Sequence, residues 1–196
     1  FLSFTQTSDD SNPLELIGII DFSVPEAGSN GKAIHVLANQ DINDLSIYGL
    51  GIANNGGGTD GQEYTFPIMS VSAGDHILVA RNIDAMNAYM SASTNWQHVI
   101  QGDTNISMNG DDAIELFYNS SVIETFGNPD VDGSGQAWEY MDSWAYKIDG
   151  NWTYGVVNCT DGSTTSCSSS CPYPFIPCPT PTTFIPDDGL NKHLLI

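Results

Sequence analysis

The chain consists mainly of short apolar stretches separated by clusters of Gly, Asn, Asp and Ser. Stretches of this kind, bounded by turn-forming residues, are typical of strands in an antiparallel fold. The pattern predicts strands at residues 14–22, 33–37, 45–50, 63–66, 76–80, 113–118, 121–126, 143–148 and 151–157. Many short strands at close spacing favour an all-β sandwich as the fold class.

A few segments depart from the strand pattern. Residues 84–93 are the one stretch in which a helix is favoured, with Asp84 as its N-cap. Tight turns are predicted at residues 118–121 and 148–151, and the second is the stronger because Asp-Gly suits a type I′ turn. Residues 54–61 are so rich in Gly that they predict a loop.

The turn at Asp149-Gly150 also predicts how the last two strands pair. A two-residue turn there sets three opposing pairs: Ile148 with Asn151, Lys147 with Trp152, and Tyr146 with Thr153. On this register Trp144 and Tyr146 share one face of the hairpin, and Trp152 and Tyr154 share the other. Because one face must line the sandwich core, the other is either covered by the C-terminal tail or offers its rings to a sugar or a protein. We predict Trp152 and Tyr154 as this exposed aromatic face, with Lys147 adding a cation–π contact to Trp152.

The two ends of the chain differ in composition from its central body. Residues 1–7 (FLSFTQT) are a short β-prone segment with apolar Phe1, Leu2 and Phe4, and a polar linker follows. Residues 159–196 are rich in Ser, Thr and Pro, which favours extended polyproline-like backbone. We therefore divide the chain into an N-terminal strand and linker (1–13), a β-sandwich (14–158) and a disulfide- and Pro-rich tail (159–196).

Charge excludes several classes of partner. The chain has 24 acidic residues and 4 Lys plus Arg, for a formal net charge of −20. Binding to nucleic acid or to an anionic membrane surface depends on Lys and Arg, so neither is expected. The chain also contains no apolar run long enough for membrane insertion. Since 40% of the residues are hydrophobic, the acidity does not predict disorder.

Cysteines and glycosylation motifs indicate the compartment. All four cysteines, Cys159, Cys167, Cys171 and Cys178, lie within one short stretch of the tail. Their spacing lacks the paired knuckles of a zinc site, so two disulfides are favoured over zinc or free thiols, with three connectivities left open. Asn-X-Ser/Thr motifs permit N-glycosylation at Asn105, Asn119, Asn151 and Asn158. A secreted or cell-surface protein follows from both observations.

Several stretches resemble lamin-tail domains. They are GKAIHV at residues 31–36, DLSIYGL at 44–50, NGDDAIEL at 109–116 and GSGQAWEYMDSWAY at 133–146. The resemblance covers roughly residues 14–155 and implies an immunoglobulin-like β-sandwich. It also implies a non-catalytic module of secreted or surface proteins. His35 departs from the family, which often carries Glu at that position.

The sequence contains no recognisable catalytic motif. The histidines at positions 35, 76, 98 and 193 are widely spaced, and no G-x-S-x-G or Walker loop is present. We therefore expect a protein that is not an enzyme and that requires no cofactor. Asp130, Asp132, Ser134 and Gln136 alternate with other residues in a Gly-containing loop, a pattern that can bind Ca²⁺. The alternative is an Asx-rich turn held by its own side chains.

Three functional hypotheses remain. In the first, the protein is a structural subunit of an extracellular filament, a homopolymer in which residues 1–7 insert into a neighbouring sandwich. Residues 7–13 span at most about 23–25 Å when extended, and repetition of such a contact makes an open filament. The competing placement packs the same strand on its own domain. The second hypothesis is a secreted carbohydrate-binding or adhesive module, with or without Ca²⁺, and the third is a secreted enzyme or its accessory domain.

Overall fold

The structure is a computed structural model that describes residues 12–24, 28–90 and 96–179. Within these residues the chain forms ten strands and one α-helix, in two sheets. In chain order they are β1 (Leu14–Asp21), β2 (Lys32–Ala38), β3 (Tyr48–Ala53), β4 (Tyr64–Thr65), β5 (His76–Ala80), α1 (Ile83–Met90), β6 (His98–Gln101), β7 (Ala113–Tyr118), β8 (Ser121–Phe126), β9 (Ser143–Ile148) and β10 (Asn151–Tyr154). The predominance of β-structure confirms the predicted fold class at this level.

The two sheets differ in size and pairing. The large sheet has the order β10-β9-β1-β2-β5-β6, and the small sheet has the order β4-β3-β7-β8. All neighbours pair antiparallel except β5 and β6, which pair in parallel. Among the described residues, the edges of the small sheet are therefore β4, which has only two residues, and β8, which has six.

An apolar core fills the space between the two sheets. Leu16, Ile19 and Ile34 of the large sheet pack in one cluster with Leu50 and Leu116 of the small sheet, all fully buried. Burial of this many large aliphatic side chains, at about 1.5–3 kcal/mol each, is the main source of stability for the sandwich.

The large sheet is buried on its second face as well. Residues of this face, including Ile20 and Leu78, form a separate cluster with Tyr89 of α1 and with Tyr173 and Ile176 of the C-terminal segment. Because both faces of β1 are covered, apolar residues occupy adjacent positions in its sequence LELIGIID, as in Leu16-Ile17 and Ile19-Ile20, instead of alternating strictly with polar ones.

The cysteines confirm the prediction of disulfides and select one of the three connectivities. Cys159 bonds to Cys171, and Cys167 bonds to Cys178. No cysteine is free, so the alternatives of a zinc site and of free thiols are wrong. Both bridges lie in the segment that covers the outer face of the large sheet, because Cys167 and Cys178 pack against Tyr173 and its neighbours.

The last hairpin has the predicted register. Ile148 pairs with Asn151, Lys147 with Trp152, and Tyr146 with Thr153. Asp149 and Gly150 both adopt positive φ, as a type I′ turn requires. Only the C-terminal bound of the predicted strand 151–157 is wrong, since β10 ends at Tyr154 and the backbone N–H of Gly155 bonds to Trp144 instead.

Three other local predictions are corrected by the structure. Residues 45–47 form a 3-10 turn capped by the Asp44 carboxylate, so the predicted strand 45–50 is displaced to β3. The helix α1 begins at Ile83 and is capped by Asn82, whose Oδ1 accepts from Ala85 N, and not by Asp84. Strand β6 was not predicted. It has four residues and, among the described residues, pairs with one neighbour, the parallel strand β5.

Candidate functional site: the open corner beside β8

The described chain begins at one corner of the sandwich. Asn39 N donates to Pro13 O at 2.8 Å, and Asn39 Nδ2 donates to Asn12 O at 3.0 Å. On the other side, Asn12 Nδ2 donates to Ile123 O of β8 at 3.2 Å. Residues 12 and 13 are therefore fixed between the end of β2 and the edge strand β8.

Side chains, not a backbone ladder, join β8 to the large sheet. Besides the Asn12 contact, the Glu124 carboxylate accepts from Leu16 N at 2.8 Å. On its other side β8 pairs regularly with β7, from Tyr118–Ser121 to Ile114–Phe126. Within residues 12–24, 28–90 and 96–179 no strand pairs with the outward edge of β8. An edge of this kind presents backbone N–H and C=O groups to any added strand.

An apolar groove lies at the same corner. Its volume is about 530 Å³, and it is lined by Asn12, Pro13, Gln40, Asp41, Ile42, Asn43, Asp44, Ile47, Tyr48, Tyr118 and Ile123. Ile47 and Tyr118 are 37% and 41% exposed. The lining thus combines apolar and aromatic side chains with the acidic Asp41 and Asp44. A strand that carries large apolar side chains on one face can cover both the groove and the β8 edge.

The predicted polymerisation residues Phe1, Leu2 and Phe4 lie outside the described residues. What the structure describes is the surface that such a strand would meet. The sequence did not predict this surface, since Tyr118 is far in the chain from Ile42 and Ile47. Strand and turn predictions alone do not reveal which ends of which strands meet at one corner.

The two residues of the predicted exposed aromatic face, Trp152 and Tyr154, differ in burial. Trp152 is half-buried, with its ring centroid 4.7 Å from that of Phe126 in the sandwich core, while Tyr154 is 39% exposed. The tail covers the opposite face, where Trp144 Nε1 donates to Cys171 O at 2.8 Å and Tyr146 packs edge-on against Tyr173. Lys147 Nζ lies 5.2 Å from the Trp152 ring, as the hairpin register predicted. Trp152 therefore packs at the periphery of the sandwich core and is only partly exposed.

The acidic loop forms Asx turns. Asp130 N donates to the Asn128 side chain at 3.0 Å, and Ser134 N donates to Asp132 Oδ1 at 2.9 Å. The side chains of Asp130, Asp132, Ser134 and Gln136 are all exposed. In the part of the chain that the structure describes, no three His, Cys, Asp or Glu side chains are grouped as a metal ion would require. Ca²⁺ binding by this loop stays a prediction.

Two adjacent acidic residues, Asp111 and Asp112, lie near this loop. The Asp112 carboxylate is buried and accepts from Asn109 N of its own loop at 3.0 Å and from Asn55 N at 2.8 Å, which ties two loops together. Burial, followed by repulsion from Asp112 and Asp132, raises the pKa of Asp111. Within the stretch NGDDAIEL at residues 109–116, Asp112 thus holds neighbouring loop backbone in place.

All four predicted glycosylation asparagines are exposed. Asn119 and Asn158 adopt positive φ in turns, Asn105 ends a 3-10 turn, and Asn151 starts β10. Their positions are therefore accessible to modification, and their occupancy stays a prediction.

Histidines that are distant in sequence meet beneath the C-terminal segment. His35 Nε2 lies 2.8 Å from His76 Nδ1, and His35 Nδ1 lies 3.0 Å from the Tyr173 hydroxyl. Phe175 packs against His35 at a tilt and Trp96 packs edge-on, with ring centroids 4.8 and 4.5 Å from that of His35. Burial, together with His76, lowers the pKa of His35 well below its ordinary value, so His35 is neutral at pH 7. Sequence analysis missed this pair because β2 and β5 pair across 41 residues.

Comparisons with protein-family models, with curated proteins and with solved structures found no match for this chain. The resemblance to lamin-tail domains therefore stays a prediction, as does the immunoglobulin-like topology. Within the described residues, no helix has the length and apolar character needed to cross a membrane. The two disulfides are compatible with an extracellular location.

Proposed function

We propose that the protein is a non-catalytic structural subunit of an extracellular filament, in which residues 1–7 of one copy add a strand to the β8 edge of the next. The observation that carries this proposal is the outward edge of β8, with which no strand of the described residues pairs. It lies beside an apolar groove, at the corner where Asn12 begins the described part of the chain. The partner is a second copy of the same chain. No nucleic acid, membrane or cofactor takes part.

The chemistry of the segment fits this surface. Leu2 and Phe4 fall on one face of an extended strand, together with Gln6, and the groove offers them Ile47 and Tyr118. The main-chain ladder supplies affinity, and the pockets for alternate side chains supply register. Because the donor and acceptor surfaces differ, the contact is heterologous and repeats without closing.

Charge supports a filament that stays dispersed. The net charge of −20 makes neighbouring filaments repel each other at low ionic strength. Lys32, Arg81 and Lys147 offer little compensation at the surface. Each donates to a carboxylate or a backbone carbonyl within the fold. Added salt or Ca²⁺ is therefore expected to promote lateral bundling.

The alternative of a sugar-binding module has weaker support. It relies on the exposed ring faces of Trp152 and Tyr154, and Trp152 is half-buried against Phe126. Tyr154 alone offers an exposed ring in that pair.

Deletion of residues 1–7 tests the proposal. Light scattering and electron microscopy should show filaments for the full chain and folded monomers for the shortened one. A second variant replaces Leu2 and Phe4 with Ser and keeps the chain length unchanged. It should also lower polymer content. Filaments that persist after the deletion would contradict strand donation, and a monomeric full-length chain would favour packing of the segment on its own domain.

Substitution of Val122 tests the acceptor side. Asn119 and Ser120 form a two-residue hairpin turn, so the flanking pair Tyr118–Ser121 bonds within the sheet and the Val122 amide points outward. Val122→Pro removes that outward donor and should block polymerisation, while Val122→Thr keeps it and should polymerise.

A further inference from the structure

A lysine lies between two glutamates where the two sheets meet. Lys147 of β9 donates through Nζ to Glu15 Oε1 of β1 at 2.7 Å and also to Glu124 Oε1 of β8. The side chains of Lys147, Glu124 and Glu15 are 11%, 16% and 27% exposed. The cluster therefore joins three strands from both sheets, and it is largely shielded from water.

Each member of this cluster is held by a further contact. Leu16 N donates to Glu124 Oε2 at 2.8 Å, so the carboxyl group is fixed with one oxygen on a backbone N–H and the other on the lysine. Asn39 Nδ2 donates to Glu15 Oε2 at 3.1 Å, and the Trp152 ring lies 5.2 Å from Nζ. Although burial acts to raise it, the pKa of Glu15 is lowered because Lys147 and Asn39 donate to this carboxylate.

These positions match the parts of an amide-forming reaction. The amine nucleophile of Lys147 hydrogen-bonds both to the carboxyl electrophile of Glu124 and to a second carboxylate, Glu15, that can carry protons. The Leu16 N–H donates to the Glu124 oxygen that gains charge. Fixing such groups together raises their effective concentration to about 10⁵–10⁸ M. Exclusion of water favours condensation over hydrolysis.

We propose that Lys147 Nζ and Glu124 Cδ form an intramolecular amide bond. One proton of the Lys147 ammonium passes to Oε1 of Glu124, which makes this carboxyl a neutral electrophile. The freed amine then attacks Cδ of Glu124, and Glu15 takes a second proton from the nitrogen. Negative charge develops on Oε2, where the Leu16 N–H stabilises it. The Cδ–Oε1 bond then breaks, and Oε1 leaves as water with two protons from the ammonium, one of them returned by Glu15. The amide keeps one N–H, and Oε2 becomes its carbonyl oxygen.

The bond would connect the edge strand β8 covalently to β9 of the large sheet. Side chains alone otherwise join these sheets at the corner, through the contacts of Asn12 and Glu124. A filament subunit that is pulled through β8 would transmit the load along a covalent path. The inference depends on the Lys147 cluster alone and holds whether or not residues 1–7 are exchanged between copies.

The mass of the full-length chain tests the proposal directly. After reduction of both disulfides and denaturation, intact-mass spectrometry should find the chain lighter by the mass of one water molecule. Tandem mass spectrometry of a digest should find a branched peptide that joins Lys147 to Glu124. An ion cluster without a bond would dissociate on denaturation, so the full calculated mass would overturn the proposal.

Variants assign the bond and the role of Glu15. Lys147→Arg keeps the charge but removes the nucleophile, and it should show the full mass. Glu15→Gln is nearly isosteric and should slow formation by about 10²–10⁴-fold, as expected for a lost proton carrier. Lys32→Arg is the matched control, because Lys32 lies 3.2 Å from Asp21 in another buried pair. It should keep the mass deficit, and loss of the deficit in this variant would place the bond elsewhere and overturn the assignment.

Discussion

The two faces of the large sheet are covered in different ways. The inner face packs against the small sheet through aliphatic side chains such as Leu16 and Ile34. The outer face is covered by α1 and by a disulfide-bonded segment, and its cluster contains Tyr146 and Tyr173 next to the buried His35 and the half-buried His76. The inner layer thus relies on apolar packing, whereas the outer layer relies on covalent bridges, aromatic contacts and a few hydrogen bonds.

This difference indicates separate roles in stability. A segment with little regular structure cannot supply its own ladder of hydrogen bonds, so cross-links limit its freedom in the unfolded state instead. We expect the outer layer to loosen under conditions that leave the inner core folded. The following predictions test that separation, from the largest expected effect to the smallest.

Truncation in the inner core should have the largest effect. Leu16→Ala should lower the free energy of unfolding by about 2–5 kcal/mol, because it removes a fully buried side chain between two sheets. Urea denaturation of the full chain, followed by far-UV circular dichroism, measures this change. Val122→Ala at the exposed edge is the control and should change the value by less than about 0.5 kcal/mol. Equal effects at the two positions would contradict the packing described for the inner core.

Removal of one disulfide should loosen the outer layer alone. The Cys167–Cys178 bridge spans a sequence separation of 11, for which the loop-entropy model gives about 3 kcal/mol. In the Cys167→Ser/Cys178→Ser double variant, near-UV dichroism from Trp144 and Tyr173 should weaken while the far-UV signal persists. Limited proteolysis should then cut within residues 160–178. Simultaneous loss of both signals would show that the layers unfold as one unit.

Addition of one methyl group at Gly18 should displace the outer segment. A Cβ at this position would lie 1.8 Å from the Tyr173 hydroxyl oxygen. Overpacking of this kind destabilises by about 1–3 kcal/mol. Gly18→Ala should therefore expose Tyr173 to solvent, measured by the change in tyrosine fluorescence and near-UV dichroism. Gly57→Ala is the control, since its Cβ would approach only Asn54 O, at 3.1 Å.

The smallest expected effect is a loss of stability of the outer layer when the pH is lowered from neutral. Burial lowers the pKa of His35 in the folded protein, so below about pH 6.5 the unfolded chain binds a proton that the folded chain does not. The free energy of unfolding should therefore decrease as the pH falls below about 6.5. Above that pH, His35 should make no further difference to it. His76, Tyr173 and, beyond His76, Asp75 face the same cluster, and the pKa of His76 is also lowered by burial. The variant His35→Gln should show a flatter dependence in urea melts at pH 5 to 7, and an unchanged slope would contradict the assignment.

The sequence predicted the inner layer far better than the outer one. Strands such as β5, β7, β8 and β9 have the predicted bounds, because alternation and turn residues are local signals. The pairing of β9 with β10 followed from one Asp-Gly turn. By contrast, the contact between His35 and Tyr173 spans 138 residues and depends on how the tail returns to the sheet.

The candidate assembly surface shows the same limit. Turn chemistry predicted the hairpin at residues 118–121, yet nothing local indicates that Tyr118 meets Ile47 and the chain entry at Asn12. The groove exists because a 3-10 turn capped by Asp44 and the β7–β8 hairpin end at the same corner. Tertiary placement of this kind is set by packing between sheets and not by residues within one strand.

Complementation between two variants tests the central claim most directly. The chain without residues 1–7 keeps an acceptor edge, and Val122→Pro keeps a donor strand. Strand donation between copies predicts that neither variant polymerises alone and that their mixture forms one-to-one dimers in light scattering and native mass spectrometry. A mixture that stays monomeric, or filaments formed by either variant alone, would contradict it.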